Sequence, residues 1–280
     1  MHAELSDDIT SQALNGITIP PCPASLTSIL REAKRPHSDY ASLAHLISRD
    51  AGVVGPLLKL ANSPFIGLRG KVTSVFQAIS VLGLQNTINL VQNISLRQSI
   101  GDNQNFEKFW ERSSLAATIA EKISTRFPAI SKDDAYITAL FHDCAIPVLI
   151  MKFPNYRETV MSQSKLGKLI CDIENEFFST SHTVVGSMLT RSWMLNPIIS
   201  KAILYHHDAT ILSTKDDQVG QDALNLIAIV HIAECIADEY FNAPMKEWLE
   251  VEHDVLKHLD LTHQEFLELK GDILAFLNGE

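Results

Sequence analysis

Apolar residues recur at helical spacing along most of the chain, and strand-like alternation is scarce. In "SLAHLISRDAGVVGPLLKLANS", Leu43, Leu46, Ile47, Val53, Val54, Leu57, Leu58 and Leu60 carry this pattern, with a break predicted at residues 50–52. The segment "TSVFQAISVLGLQNTINLVQ" opens with Ser74 three positions before Gln77, a capping-box spacing, and sets Val75, Ile79 and Leu82 on one face. Gly83 then separates this helix from another bearing Ile88, Val91 and Leu96. Further on, Ser131 is a candidate N-cap with Asp133 and Asp134 in the first turn, where the helix dipole favours acid. Thr262 with Glu265 repeats the capping signal ahead of Phe266, Leu269, Ile273 and Phe276.

Loop signals fall at residues 19–25, 62–72, 100–105, 126–133, 152–158 and 206–222. The polar stretch "IGDNQN" is the candidate junction between halves. The pattern predicts an all-α protein of two packed helical subdomains, residues 17–104 and 105–240. An N-terminal extension, 1–16, precedes them and C-terminal helices, 241–280, follow.

Composition narrows the function classes. Of 280 residues, 46% are apolar, which describes a globular chain with a substantial core. A formal net charge of −10 offers no general attraction to phosphate backbones or anionic lipid, so neither nucleic acid nor a membrane is an expected partner. Cys22, Cys144, Cys171 and Cys235 are far apart and form no CxxC pair, as expected of reduced thiols. With an acidic, polar N-terminus that lacks a secretory signal, the expectation is a cytoplasmic protein. The apolar run 135–151, interrupted by His142, Asp143 and Pro147, reads as a buried core helix rather than a membrane span.

Four places break the apolar logic. His142 and Asp143 stand side by side inside "ITALFHDCAIPVLI". His182 shares a helical face with Val185, Gly186, Leu189 and Trp193. His206 and His207 close the helix "AILYHH". Glu234 lies on the face of Ile227, Val230, His231 and Ala237. Singly, each can be a hydrogen-bonded core residue or a helix-end histidine complementing the dipole; His45, His253, His258 and His263 lie in polar or amphipathic surroundings. Together, imidazoles and carboxylates on four helices make a ligand set for iron, manganese or zinc. The alternative is a metal-free hydrogen-bond network in which Asp143 accepts from a histidine.

The order His142–Asp143, His182 before "VVG", "AILYHHD" and "VHIAE" resembles the HD superfamily of metal-dependent phosphohydrolases. Upstream, Pro20, Pro21 and Pro23, "ISRDAGVVGPLLKLANSPF" and "SVFQAISVLGL" resemble the HDOD domain, the HD-related output domain of bacterial signalling proteins. The resemblance covers roughly residues 17–238 and makes the second subdomain HD-like. It implies a metal site at His142, Asp143, His182, His206, His207 and Glu234. Three departures follow from it. The first metal-ligand histidine of HD enzymes is replaced by Arg112, whose guanidinium has no lone pair to donate and would repel a cation or pair with Asp143. Glu234 stands where many relatives carry aspartate, and Ala145–Ile146 replaces a Gly-Lys that could meet substrate phosphate.

The resemblance therefore implies a non-catalytic, stand-alone output or adaptor protein acting through signalling protein partners and retaining a degraded metal site. The other reading is a metal-dependent phosphohydrolase acting on a nucleotide or cyclic dinucleotide, with His142, Asp143, His182 and His206 ligating a metal that activates water. On either reading, His142→Ala and Asp143→Ala are expected to destabilise the fold by roughly a few kcal/mol in denaturant titrations, because each disrupts a buried polar network.

Overall fold

A computed structural model of the chain describes residues 16–35, 39–63, 70–101, 104–214 and 219–279. Nearly all of the extension expected over 1–16, and parts of the loops expected over 62–72, 100–105 and 206–222, lie outside these residues. Among the described residues the regular structure is helical throughout, without a strand. The described residues divide into two compact units, one within Pro20–Gln104 and the other formed by 105–279 together with 16–19.

The first unit contains α1 (Ala24–Ala33), α2 (Tyr40–Ser48), α3 (Ala51–Ala61), α4 (Val75–Leu82) and α5 (Leu84–Ile100). Asp50 caps α3 by accepting from the Gly52 amide, which makes the break between α2 and α3 that the sequence predicts. Pro56 lies inside α3 and has no N–H for the Gly52 carbonyl. Gln98 of α5 supplies the missing donor, its Nε2 lying 2.7 Å from that oxygen. Ser74 caps α4 as expected, but the Gln77 side chain reaches back to Thr73 rather than to the cap residue itself. Gly83, at φ +82°, ends α4 and begins α5 in backbone space open to glycine.

The second unit begins with α6 (Glu107–Ser124), α7 (Lys132–Phe141), α8 (Ala145–Lys152), α9 (Tyr156–Ser164) and α10 (Ile170–Phe178). Then come α11 (His182–Ser192), α12 (Pro197–Tyr205), the single turn α13 (Ile211–Thr214), α14 (Gln221–Tyr240), α15 (Lys246–His258) and α16 (His263–Asn278). Ser131 caps α7, and Thr262 with Glu265 forms a full capping box on α16. Buried on all sides over its middle turns, α14 forms the core, packed by α6, α7, α12 and α15, with every residue from 226 to 237 buried. The run expected as one core helix over 135–151 is instead two, α7 and α8, separated by a turn at His142, Asp143 and Cys144. Pro147 gives the reason. A straight helix would set its ring against the carbonyl of Asp143, whereas in the first turn of α8 the missing N–H costs nothing. The stretch Lys132–Lys152 is long and apolar enough to cross a membrane by length and composition, yet 72% of its apolar window is buried within the protein.

Gly186 lets α11 approach that turn. A Cβ there would lie 3.2 Å from Ile203 Cγ2, 3.7 Å from the His142 carbonyl oxygen and 3.9 Å from Ala145 Cβ. Gly186→Val is therefore expected to cost about 1–3 kcal/mol by overpacking, read as a lowered urea midpoint with an unchanged slope.

Candidate functional site

The turn between α7 and α8 makes Asp143 the centre of the site. His142 is the C-cap of α7, His182 opens α11 behind the Ser181 N-cap, and His206 and His207 follow α12. Glu234 projects from α14 and Arg112 from α6. The structure thus brings together all six residues singled out as ligands, with Arg112 beside them.

Ring orientation is fixed from behind. His142 Nδ1 donates to the Ala139 carbonyl at 2.7 Å and His206 Nδ1 to the Ile203 carbonyl at 2.8 Å. A carbonyl only accepts, so in both rings Nδ1 carries the proton. His182 Nδ1 meets Glu174 Oε2 at 2.7 Å, and His207 Nδ1 meets Glu247 Oε1 at 2.5 Å. This is the carbonyl or carboxylate backing typical of metal-ligating imidazoles.

The other ends of the rings converge. The Nε2 atoms of His142, His182 and His206, with Asp143 Oδ1, are buried and have no hydrogen-bond partner among the described residues. His182 Nε2 lies 3.3 Å and His206 Nε2 3.7 Å from Asp143 Oδ1, and His142 Nε2 lies 3.1 Å from Asp143 Oδ2. These are close contacts without hydrogen-bond alignment. Donors bound about 2.1 Å from one ion are about 3.0–3.4 Å apart in octahedral or tetrahedral geometry, so the spacing suits a shared cation. Asp143, His182, His206 and His207 each offer a ligand atom within 4.8 Å of the others. This donor set fits a borderline transition metal. A second cluster, Cys171, Glu174 and His182, also meets that spacing, but Glu174 is engaged by Tyr156 Oη and by both the backbone N–H and Nδ1 of His182.

A third cluster, His142, Asp143 and Glu234, borders Arg112. The guanidinium bonds Glu234 Oε1 at 2.9 Å and Asp238 Oδ1 at 2.8 Å, and stands 3.8 Å from Asp143. Its main partners are therefore Glu234 and Asp238 rather than Asp143. The two carboxylates sit four residues apart on α14, stacked on one face that the guanidinium fork can span.

Charge follows the geometry. Burial opposes the proton on His142, but Asp143 and Glu234 overcome it and raise the pKa above the usual histidine value. His182 is likewise pushed up to about 10 against burial, by Glu174 and Asp143. Burial and neighbouring imidazoles push His206 and His207 down to about 4. Against their own burial, Asp143 and Glu234 are held well below the carboxylate range, mainly by His142. Burial, then Glu234, raises Glu247 to about 7. A metal binding His182 here competes with the proton that Glu174 and Asp143 favour on that ring.

Glu174, Asp238 and Glu247 were not among the sequence candidates. Glu174 carried a usable signal, since it follows Ile173 on an apolar helical stripe and is fully buried. Asp238 and Glu247 carried none, lying where helix-end acids usually face solvent.

A family model described as HDOD domain matches residues 19–209. An uncharacterized protein of Treponema pallidum (strain Nichols) is 25% identical over 203 residues, 68% of this chain; the alignment spans only 38% of that relative's length. A Geobacter sulfurreducens HDOD domain protein of unknown function is similar in structure, with TM-score 0.67 and 20% identity over 95% of this chain and 97% of that one. A Shewanella amazonensis SB2B protein whose name proposes a phosphohydrolase matches at TM-score 0.67 and 17% identity, over 94% and 97%. A Marinobacter aquaeolei VT8 protein whose name proposes a role in signal transduction matches at 0.65 and 17%, over 99% and 61%. At these identities the structures show a shared fold.

Arg112 generates the clearest test. Arg112→Met leaves Glu234, Asp238 and Asp143 without their shared cation. The expected cost is about 2 kcal/mol in chemical denaturation, below the figure for a fully buried pair because 30% of the arginine side chain is exposed. Adding Asp238→Asn should return part of that loss, giving a non-additive double mutant.

Proposed function

Because the chain belongs to the HDOD domain family, we propose that it is a signal-transduction output or adaptor module that acts through a protein partner and does not turn over a substrate. The observation that carries this reading is Arg112. Its guanidinium holds Glu234 and Asp238 and stands beside Asp143, where a second cation or an incoming phosphate would need those carboxylates free or metal-bound. The net charge of −10 supports a protein partner over nucleic acid.

On this reading Asp143, His182 and His206 hold one transition metal, iron, manganese or zinc, with His142 and His207 beside them. Such a metal, when bound, supplies Lewis acidity and a fixed dipositive charge. The protein's own groups do the rest: Glu174 orients His182, Glu247 orients His207, and Arg112 neutralises the carboxylates that the metal does not reach. The metal's role is then to set the conformation of this face.

A second reading, a phosphohydrolase acting on a nucleotide or cyclic dinucleotide, is favoured by the unpartnered Nε2 atoms, which serve catalysis as well as structure. Elemental analysis of protein purified without chelator or affinity metal separates the two when combined with phosphodiester and nucleotide hydrolysis under manganese or iron. About one metal per chain is expected, lost in His182→Ala, with no turnover above that variant. Turnover abolished by His182→Ala would instead make the protein a hydrolase.

A further inference from the structure

Of the nine described residues of α9, Tyr156 alone is buried. The helix is therefore held chiefly by one side chain, which packs on Phe178 with the ring centroids 5.3 Å apart. A tyrosine near a surface usually leaves its hydroxyl in water. Here the hydroxyl is turned inward and donates to Glu174 Oε1. Burial and the Glu174 charge both push the phenol pKa up, so the group stays a donor at any working pH.

Glu174 is itself fully buried, and among the described residues His182 is its only ion-pair partner. Its two oxygens are divided between two helices. Oε1 takes Tyr156, whereas Oε2 takes the His182 backbone N–H at 2.9 Å and His182 Nδ1 at 2.7 Å. That N–H is the first of α11 and has no partner within the helix. The Ser181 side chain caps the Val184 amide instead. Ser179, in left-handed backbone at φ +56°, ends α10 and turns the chain so that Glu174 and His182 meet. With donors on one oxygen alone, this carboxylate could swing about its own axis; the tyrosine on the other oxygen stops it.

An imidazole that presents Nε2 to a cation depends on what holds its Nδ1. We propose that Tyr156 is a positioning residue of the metal site: by fixing Glu174 Oε1 it aims Oε2 at His182, and it thereby links the docking of α9 to metal binding. Its hydroxyl bonds Glu174 and none of the site's imidazoles, so it acts only through that carboxylate. The proposal rests on the reading of His182 as a metal ligand and deepens it by naming the element through which the site reaches the surface. The linkage is reciprocal: loosening α9 weakens metal binding, and metal on His182 tightens α9.

Tyr156→Phe keeps the ring on Phe178 and deletes only the hydroxyl. Two measurements on the full chain test the link: zinc and manganese affinity by chelator competition, and amide hydrogen exchange by NMR on metal-free protein. The expected result is an affinity lowered about tenfold, the low end of what loss of an orienting partner costs. Exchange should quicken at the His182 amide and across 156–164, while amides of α14 keep their protection. Glu174→Gln should lower the affinity at least as much, and adding Tyr156→Phe to it should lower it little further. Should Tyr156→Phe alone unfold by circular dichroism, a folded double variant supports the coupling and an unfolded one overturns it. An unchanged His182 amide overturns the proposal in every case, as does unchanged affinity in protein that binds metal; Tyr156 is then a packing residue. If the wild-type chain binds neither metal, the metal assignment falls, while a quickened His182 amide still establishes the link from Tyr156 through Glu174.

Discussion

A carboxylate removed from water has to be matched by positive charge or by donors, and Asp143 is matched from several directions at once. Three imidazoles and a guanidinium, carried on α6, α7, α11 and α12, all come within 4 Å of its two oxygens. The surrounding helices are arranged to make this possible: Pro147 forces the turn that presents Asp143, and Gly186 lets α11 close on it. Loss of either would move a histidine rather than merely loosen a core.

Two kinds of positive charge compete for the same acids. Asp143, Glu174 and Glu234 favour protons on His142 and His182, and Arg112 adds its own charge from within the chain. A metal can replace the protons but cannot replace the arginine, which is covalently part of α6. The site is therefore divided between a side whose cation is exchangeable and a side whose cation is permanent. That division sets apart the unpartnered nitrogens from the carboxylates of α14.

Much of this was legible in the sequence because polar residues at apolar positions are conspicuous. His142, Asp143, His182, His206 and Glu234 stood out for that reason, and the helices around them followed from periodicity and caps. Glu174 carried the same signal but was hidden among the acids of "CDIENEFF", where Asp172 and Glu176 make the segment look solvated. Which acids Arg112 takes could not be read linearly, since Asp238 and Glu234 meet it only through the pitch of α14. The turn within 135–151 was concealed by unbroken apolarity on both sides of it, although Pro147 marked the place.

The Arg112–Asp238 bond joins residues 126 positions apart. Loop closure over that separation is entropically costly and is recovered only when the intervening helices are in place. The charge network is accordingly complete only once α14 has docked against α6. A segment that stops short of α14 thus carries no assembled site, because it lacks Glu234 and Asp238.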